Sequence, residues 1–282
     1  MTVLLLDCNY LAWRSFHSTG KNLDRGTTYG FLSTLQKLRD QFQPSRIAFC
    51  FDGDGPSKRK EIYPDYKANR GRNNVESDCN DRIKVHGEIK ELRDKHLPAL
   101  GWRNVFHAPG FEADDWAGAI CHHLNGKEKC VLVSADQDFW QLISPSVSVW
   151  NPTTNYLETF QTFQEKWSIE PEDWISVKAI AGCKSDNIKG VPGVGEKTAA
   201  RFLAGELSKG REAAVREKVN RWEERILFNL RLVKIPLPGL EVTLRDDIIT
   251  GGTWRRFCEK MKMTSLLRGY GNSQASNQRN KN

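Results

Sequence analysis

A chain of 282 residues is long enough for one large core, or for one domain with a smaller module, and needs no covalent staples to fold. Its 39% hydrophobic share, with nine tryptophans, excludes a largely disordered chain, and 42 basic against 35 acidic side chains favour polyanionic partners, nucleic acid first. Seven cysteines without a C-x-x-C pair exclude a zinc ribbon and a disulfide framework and indicate a reducing compartment.

The apolar start TVLLL is interrupted by Asp7 and lacks a basic flank or cleavage site, so it is read as a buried strand and not a signal peptide. No later run approaches the roughly 20 apolar residues of a membrane span, and a cytoplasmic protein without a membrane partner is expected. Residues 2–7 (TVLLLD), 46–52 (RIAFCFD), 103–108 (RNVFHA), 130–136 (CVLVSAD) and 147–150 (VSVW) are short apolar or β-branched runs. Helix-length segments separate most of them, which predicts a parallel α/β sheet. Residues 27–42 and 112–125 carry apolar side chains at helical spacing and are expected to cover that sheet. Between Ser57 and Lys95 the chain becomes dense in charge and is expected to project from the core. From Pro171 onward PEDWISVKAIAG, EKTAARFLAG, AAVREKVNRWEERILFNLRLV and WRRFCEKMKM predict a second, helical lobe, and the polar ending GNSQASNQRNKN is expected to be disordered.

Three of the apolar runs close on an aspartate: Asp7, Asp52 and Asp136. Ligands of open α/β sheets bind outside the carboxyl ends of the strands, so these side chains can converge on one crevice. Glu112, Asp114 and Asp115 in GFEADDW open a helix, and Asp136 and Asp138 in SADQD form a second pair. Each group alone has a structural role open to it, as an Asx-turn, an N-cap or a partner of the helix dipole. Together they would crowd negative charge unless cations neutralised it. Oxygen ligands without histidine or thiolate suit magnesium, with manganese as a substitute. Two such ions roughly 4 Å apart would clamp the attacking and leaving oxygens of a phosphodiester.

The run FDGDGPSKRKEIYPDYKANR, residues 51–70, resembles a segment of flap endonucleases, phage 5′-nucleases and the 5′-nuclease domain of bacterial DNA polymerase I. There an aspartate precedes an Arg-x-x-x-Tyr-x-x-Tyr-Lys-x-x-Arg pattern. FEADDW, SADQDFWQL and SDNIKGVPGVGEKTA follow in the family's order, so the resemblance runs from Asp7 to about Arg201. It implies an α/β fold with a mostly parallel central sheet flanked by helices, a PIN-like 5′-nuclease core. The core would span 1–160 with a projecting arch at about 57–97. A helical lobe at 161–270 would carry a helix-hairpin-helix element at 182–204, and 271–282 would be a disordered tail.

The resemblance further implies 5′-3′ exonuclease and flap endonuclease activity by a two-metal mechanism, on DNA with 5′ flaps, nicks or free ends, or on RNA–DNA hybrids. It implies a monomer in the cytoplasm of a bacterium or a phage-infected cell. Asp7, Asp52, Glu112, Asp114 and Asp115 would serve the first metal, and Asp136, Asp138 and Asp186 the second. Lys67 and Arg70 would offset charge at the scissile phosphate. Lys58, Arg59, Lys60, Arg72, Arg82 and Lys84 of the arch would meet a single-stranded 5′ end. Tyr66, Gly190, Gly193, Gly195, Lys197 and Thr198 would also contact DNA, the glycine turn with a potassium ion. That turn is not a P-loop, because Glu196 separates Gly195 from Lys197 and the residues before it are not strand-like. One departure stands out. Where the phage and polymerase-linked pattern has an acid three residues before the aspartate of Asp-Asn-Ile, this chain has Cys183. A DNA-structure-binding protein with a degenerate second metal site is therefore the alternative.

Overall fold

The computed structural model describes residues 1–21, 23–69 and 76–267, so Arg70, Arg72 and the tail from 268 lie outside the described residues. Strand β1 (Thr2–Asp7) is central: Val3 to Leu6 are 0% exposed, with Val3 and Leu5 packed on one face of the sheet and Leu4 and Leu6 on the other. A strand buried on both faces reads as a continuous apolar run, which is why TVLLL shows no alternation. Helix α1 (Cys8–Ser15) follows at once, capped by the Asp7 carboxylate, and α2 (Gly26–Phe42) returns to β2 (Arg46–Cys50). Short α3 (Arg59–Ile62) precedes α4 (Glu76–Glu91), which continues through a wide turn into α5 (Leu97–Leu100). Next come β3 (Val105–Phe106), α6 (Ala113–Leu124), β4 (Lys129–Val133), β5 (Val147–Asn151) and β6 (Tyr156–Glu158).

The sheet order is β3-β2-β1-β4-β5-β6, parallel throughout except β6, which runs antiparallel to β5. Strand order reverses at β1, with β2 on one side and β4 on the other. The carboxyl ends of these three strands therefore border the switch-point crevice, where α/β sheets bind ligands. Helices α1, α2, α4 and α5 cover one face and α6 the other.

Helix α7 (Phe160–Trp167) leads to α8 (Trp174–Ala181) and a two-strand hairpin of β7 (Gly182–Cys183) and β8 (Ile188–Lys189). A glycine turn then enters α9 (Glu196–Leu203), followed by α10 (Lys209–Arg221) and α11 (Glu223–Val233).

Three expectations change on inspection of the packing. The run 103–108 contributes only two strand residues, and the side chain of Asn104 before them exchanges two hydrogen bonds with the Arg245 backbone. The charged segment does not project along its whole length: Val85, Ile89 and Leu92 are buried against the core, and Glu88 accepts the N–H and O–H of Thr28. The last helix, α12 (Gly251–Lys260), packs with the α/β core and not with the helical lobe, its Trp254 only 1% exposed among residues of α2 and α5. Ile248 N–H to Gly101 carbonyl, at 2.9 Å, fixes this return.

Candidate metal centre

Asp7 ends β1 and is held by both oxygens, Oδ1 accepting the Tyr10 N–H at 3.1 Å and Oδ2 the Ser134 hydroxyl at 2.9 Å. Asp52, two residues beyond β2, accepts the Asn9 side-chain amide at 2.8 Å and the Ala113 N–H at the start of α6 at 2.9 Å. Gly53 is required beside it, since a Cβ there would lie 1.7 Å from the Ala108 carbonyl oxygen. Asp136 lies three residues beyond β4, and its Oδ1 accepts the Asp138 N–H at 2.9 Å. The Ser134 hydroxyl that donates to Asp7 also accepts the Asp136 N–H at 3.1 Å, and burial, reinforced by the charges of Asp52 and Asp136, pushes the Asp7 carboxyl up to about 7.

From α6, Glu112 accepts Lys67 Nζ at 2.7 Å and the Tyr66 hydroxyl at 3.0 Å. Burial would raise its pKa, but the charges of Lys67 and Arg59 outweigh it and hold the carboxyl low. Asp114 is pushed well up by burial against the opposing charge of Arg59, and its Oδ1 is buried without a hydrogen-bond donor. That oxygen lies 3.8 Å from the Arg59 guanidinium, and a buried carboxylate oxygen without a hydrogen-bond donor suits a cation of the oxygen-preferring class.

Two predicted residues have other partners. Asp115 is 0% exposed and takes a bidentate ion pair from Arg59 at 2.8 and 2.9 Å, while also accepting the Leu237 N–H at 2.8 Å and the Glu112 N–H at 3.0 Å. Its oxygens are saturated by the protein. Arg59, expected at the DNA surface, is 1% exposed and also donates to the carbonyls of Leu232 and Lys234. It clamps α3, α6 and the chain leaving α11. Tyr66 is likewise buried, and supports Glu112 from within.

A second cluster lies where the turn after Asp136 meets the β7–β8 hairpin. Ligand atoms of Asp138, Cys183 and Asp186 all fall within 4.8 Å of one another. Lys178 reaches in from α8, 2.8 Å from Asp138 Oδ1 and 3.0 Å from Glu196 Oε1. Burial, with the charge of Asp136, raises Asp138 to about 6 despite that lysine, and burial raises the Cys183 thiol. The hairpin turn is fastened to the Lys67 segment by three hydrogen bonds: Lys67 N–H to Asp186 carbonyl, Asn187 side chain to Asp65 carbonyl, and Asn69 side chain to Lys184 carbonyl, at 2.9, 2.8 and 2.7 Å. Lys67 takes a positive φ of 57° there.

In the glycine turn, Gly190 lies where its backbone meets Ala181, since a Cβ would come within 2.1 Å of that carbonyl. Gly193 has φ +75°, Gly195 caps α9, Lys197 is exposed, and Thr198 Oγ1 accepts from Arg211 at 3.4 Å. Asn9, Ser134 and Lys178 were not anticipated. Asn9 and Ser134 were within reach, because each lies within two residues of an acid that ends a strand. Lys178 had no such signal, being one lysine on an otherwise apolar helix.

The fold is of the α/β class, a mostly parallel sheet with carboxylates at its switch point, joined to a glycine turn that leads from β8 into α9. The chain belongs to the 5'-3' exonuclease family, whose N-terminal resolvase-like domain matches residues 2–170. It is 35% identical over 290 residues to the thermostable DNA polymerase I of Thermus filiformis, covering 95% of this chain and 33% of the polymerase. To DNA polymerase I of Mycobacterium tuberculosis it is 35% identical over 215 residues, 72% of this chain and 23% of that protein. The chain thus spans about a third or less of the curated relatives it matches. Among solved structures, the T5 5'-exonuclease with bound zinc matches with a TM-score of 0.69 at 26% identity, covering 83% of this chain and 89% of that one. A T5 flap endonuclease complex with DNA and metal ions has the same fold, with a TM-score of 0.70 at 24% identity over the same shares. No helix among the described residues is long and apolar enough to cross a membrane.

Proposed function

We propose that this chain is a 5′-nuclease that hydrolyses DNA phosphodiesters near free 5′ ends, at flaps, nicks and duplex ends, with RNA–DNA hybrids as a further substrate. What supports the reading is the placing of Asp7, Asp52 and Asp136 at or just beyond the carboxyl ends of three adjacent parallel strands, with Asp52 accepting the Ala113 N–H at the start of α6 between Glu112 and Asp114. Held by these acids, and by Asp138 and Asp186 at the second cluster, two divalent ions, magnesium or manganese at the first site, would supply Lewis-acid activation of phosphate and water.

The chain's own residues do the rest. Asn9, Ser134, Tyr10 N–H and Ala113 N–H orient the carboxylates in advance, so little reorganisation is left for ligand binding. Glu112 would help hold a cation, and Lys67, whose ammonium lies 2.7 Å from it, would offset charge on a bound phosphate. The cleft bounded by Asp52, Gly55, Lys67, Lys90, Arg93 and Glu112 has a volume of about 400 Å³ and borders both acids and bases, as a strand end would require. The turn from Gly193 to Lys197, exposed at Gly193, Gly195 and Lys197, would hold a duplex phosphate by backbone N–H groups, with potassium as the accompanying ion. The protein would act on DNA as a monomer. Arg59 and Asp115 act behind the site, as its frame.

The test is cleavage of a 5′-labelled flap duplex in magnesium, with an EDTA control and the Asp136→Asn variant. Short 5′ products are expected from the unmodified protein with metal and from neither control. Cleavage that survives EDTA would overturn the reading. A second reading rests on Cys183: a protein that binds flaps without cutting them would give tight retention and no product in magnesium or manganese.

A further inference from the structure

We propose that Asp138, Cys183 and Asp186 form a mixed sulfur–oxygen site that takes a thiophilic divalent ion of the zinc class in preference to magnesium. The inference rests on the reading of Asp138 and Asp186 as metal ligands and adds which ion they take.

The geometry is already assembled, with one ligand atom from each residue inside a span of 4.8 Å; among the described residues this is the one group of histidines, cysteines and acids so arranged. Cys183 and Asp186 lie on a short hairpin whose ends are set by close backbone contact, Gly182 having φ +76° and a Cβ there meeting Gly190 N at 2.3 Å. The thiol is buried and its polar neighbour is the Ser185 hydroxyl at 3.0 Å, a contact a metal ion can replace at little cost. Asp138 Oδ1 is buried, and the Lys178 ammonium at 2.8 Å is the partner that balances its charge.

Charge decides between ions. With a protonated thiol the group presents two carboxylates against the adjacent lysine, a net of one negative charge. That is a weak site for magnesium, which demands oxygen ligands and gives up its water reluctantly. A thiophilic ion coordinates the sulfur and displaces the thiol proton to solvent, which restores the second unit of negative charge. Lys178 can stay on Glu196, 3.0 Å away, when Asp138 turns to the ion.

The test uses the full chain carrying Cys79→Ser, which removes the exposed thiol while the other cysteines stay buried. Cobalt(II) serves as the spectroscopic stand-in for zinc. Titration is expected to give a near-ultraviolet sulfur-to-cobalt charge-transfer band that saturates at one ion, is quenched by zinc and survives equimolar magnesium. Cys183→Ser abolishes the band and Asp138→Asn weakens cobalt binding by about tenfold or more, as loss of a ligand does at least what loss of its supporting partner does. Cys183→Asp gives no band and binds magnesium more tightly by calorimetry. Far-ultraviolet circular dichroism of each variant separates loss of the site from loss of the fold. A band that persists in Cys183→Ser overturns the proposal. So does its absence from a parent protein that cuts flaps in magnesium, in which case the nuclease reading stands alone. If no divalent ion binds and none supports cleavage, the nuclease reading falls and this proposal with it.

Discussion

Arg59 sits between Lys58 and Lys60 in a run of charge, and nothing in its immediate sequence marks it as the one to be buried. The fold selects it because a planar guanidinium can bind both oxygens of Asp115 and still reach the carbonyls of Leu232 and Lys234. Removing one partner of a buried pair leaves the other charge uncompensated, so Arg59→Ala is expected to cost about 3–5 kcal/mol in urea unfolding, while Lys60→Ala stays within about 0.5 kcal/mol. Equal effects of the two would mean that the buried pair carries no special weight. The acids themselves were legible because each closes an apolar run or opens a helix. Their division of labour was not, since Asp114 and Asp115 are neighbours in sequence and both lie by Arg59, yet only Asp115 takes its bidentate pair, at 2.8 and 2.9 Å, while Asp114 stays 3.8 Å away.

The elements that position the site differ in how far sequence reveals them. Strands β1, β2, β4 and β5 announce themselves as apolar runs, and Asp7 at the end of β1, with Asp52 and Asp136 just beyond β2 and β4, pointed to the crevice. Strands of two residues such as β3, β7 and β8 have no period to read, and β6 is too short and mixed to distinguish from a loop. The connection after β2 is tighter than its composition suggests, because Gly53 lies against the Ala108 carbonyl. Gly53→Ala is therefore expected to push the backbone apart and displace Asp52 from the Ala113 N–H. Flap cleavage should fall by about 100-fold, on the scale of a misplacement of 1 Å at a catalytic group. Unchanged cleavage would show that the loop yields elsewhere.

At the scale of the molecule, the chain does not run from core to lobe and stop. After α11 it crosses back, and α12 seats Trp254 under α2 and α5, with the indole N–H on the Leu266 carbonyl at 3.3 Å. Composition gave the helical character of this stretch, but which body a helix joins depends on surfaces far away in sequence. Trp254→Ala is expected to destabilise the α/β core by about 3–5 kcal/mol, and to do so as one unfolding transition if the return strap and the core are a single unit. Two separated transitions would mean that the strap melts on its own.

The three hydrogen bonds between residues 65–69 and 184–187 join a basic residue and an acidic hairpin that are more than a hundred positions apart. Such a joint has a thermodynamic consequence. The left-handed backbone of Lys67 is tolerable only while Asp186 accepts its N–H, so the two turns order together or not at all. A ligand that orders the acidic turn prepays part of the entropy of setting Lys67, and reciprocity requires that a ligand at Lys67 tighten the first by the same factor. On the proposed function, cation and polyanion affinity are expected to rise together through the backbone, without any contact between the two ligands.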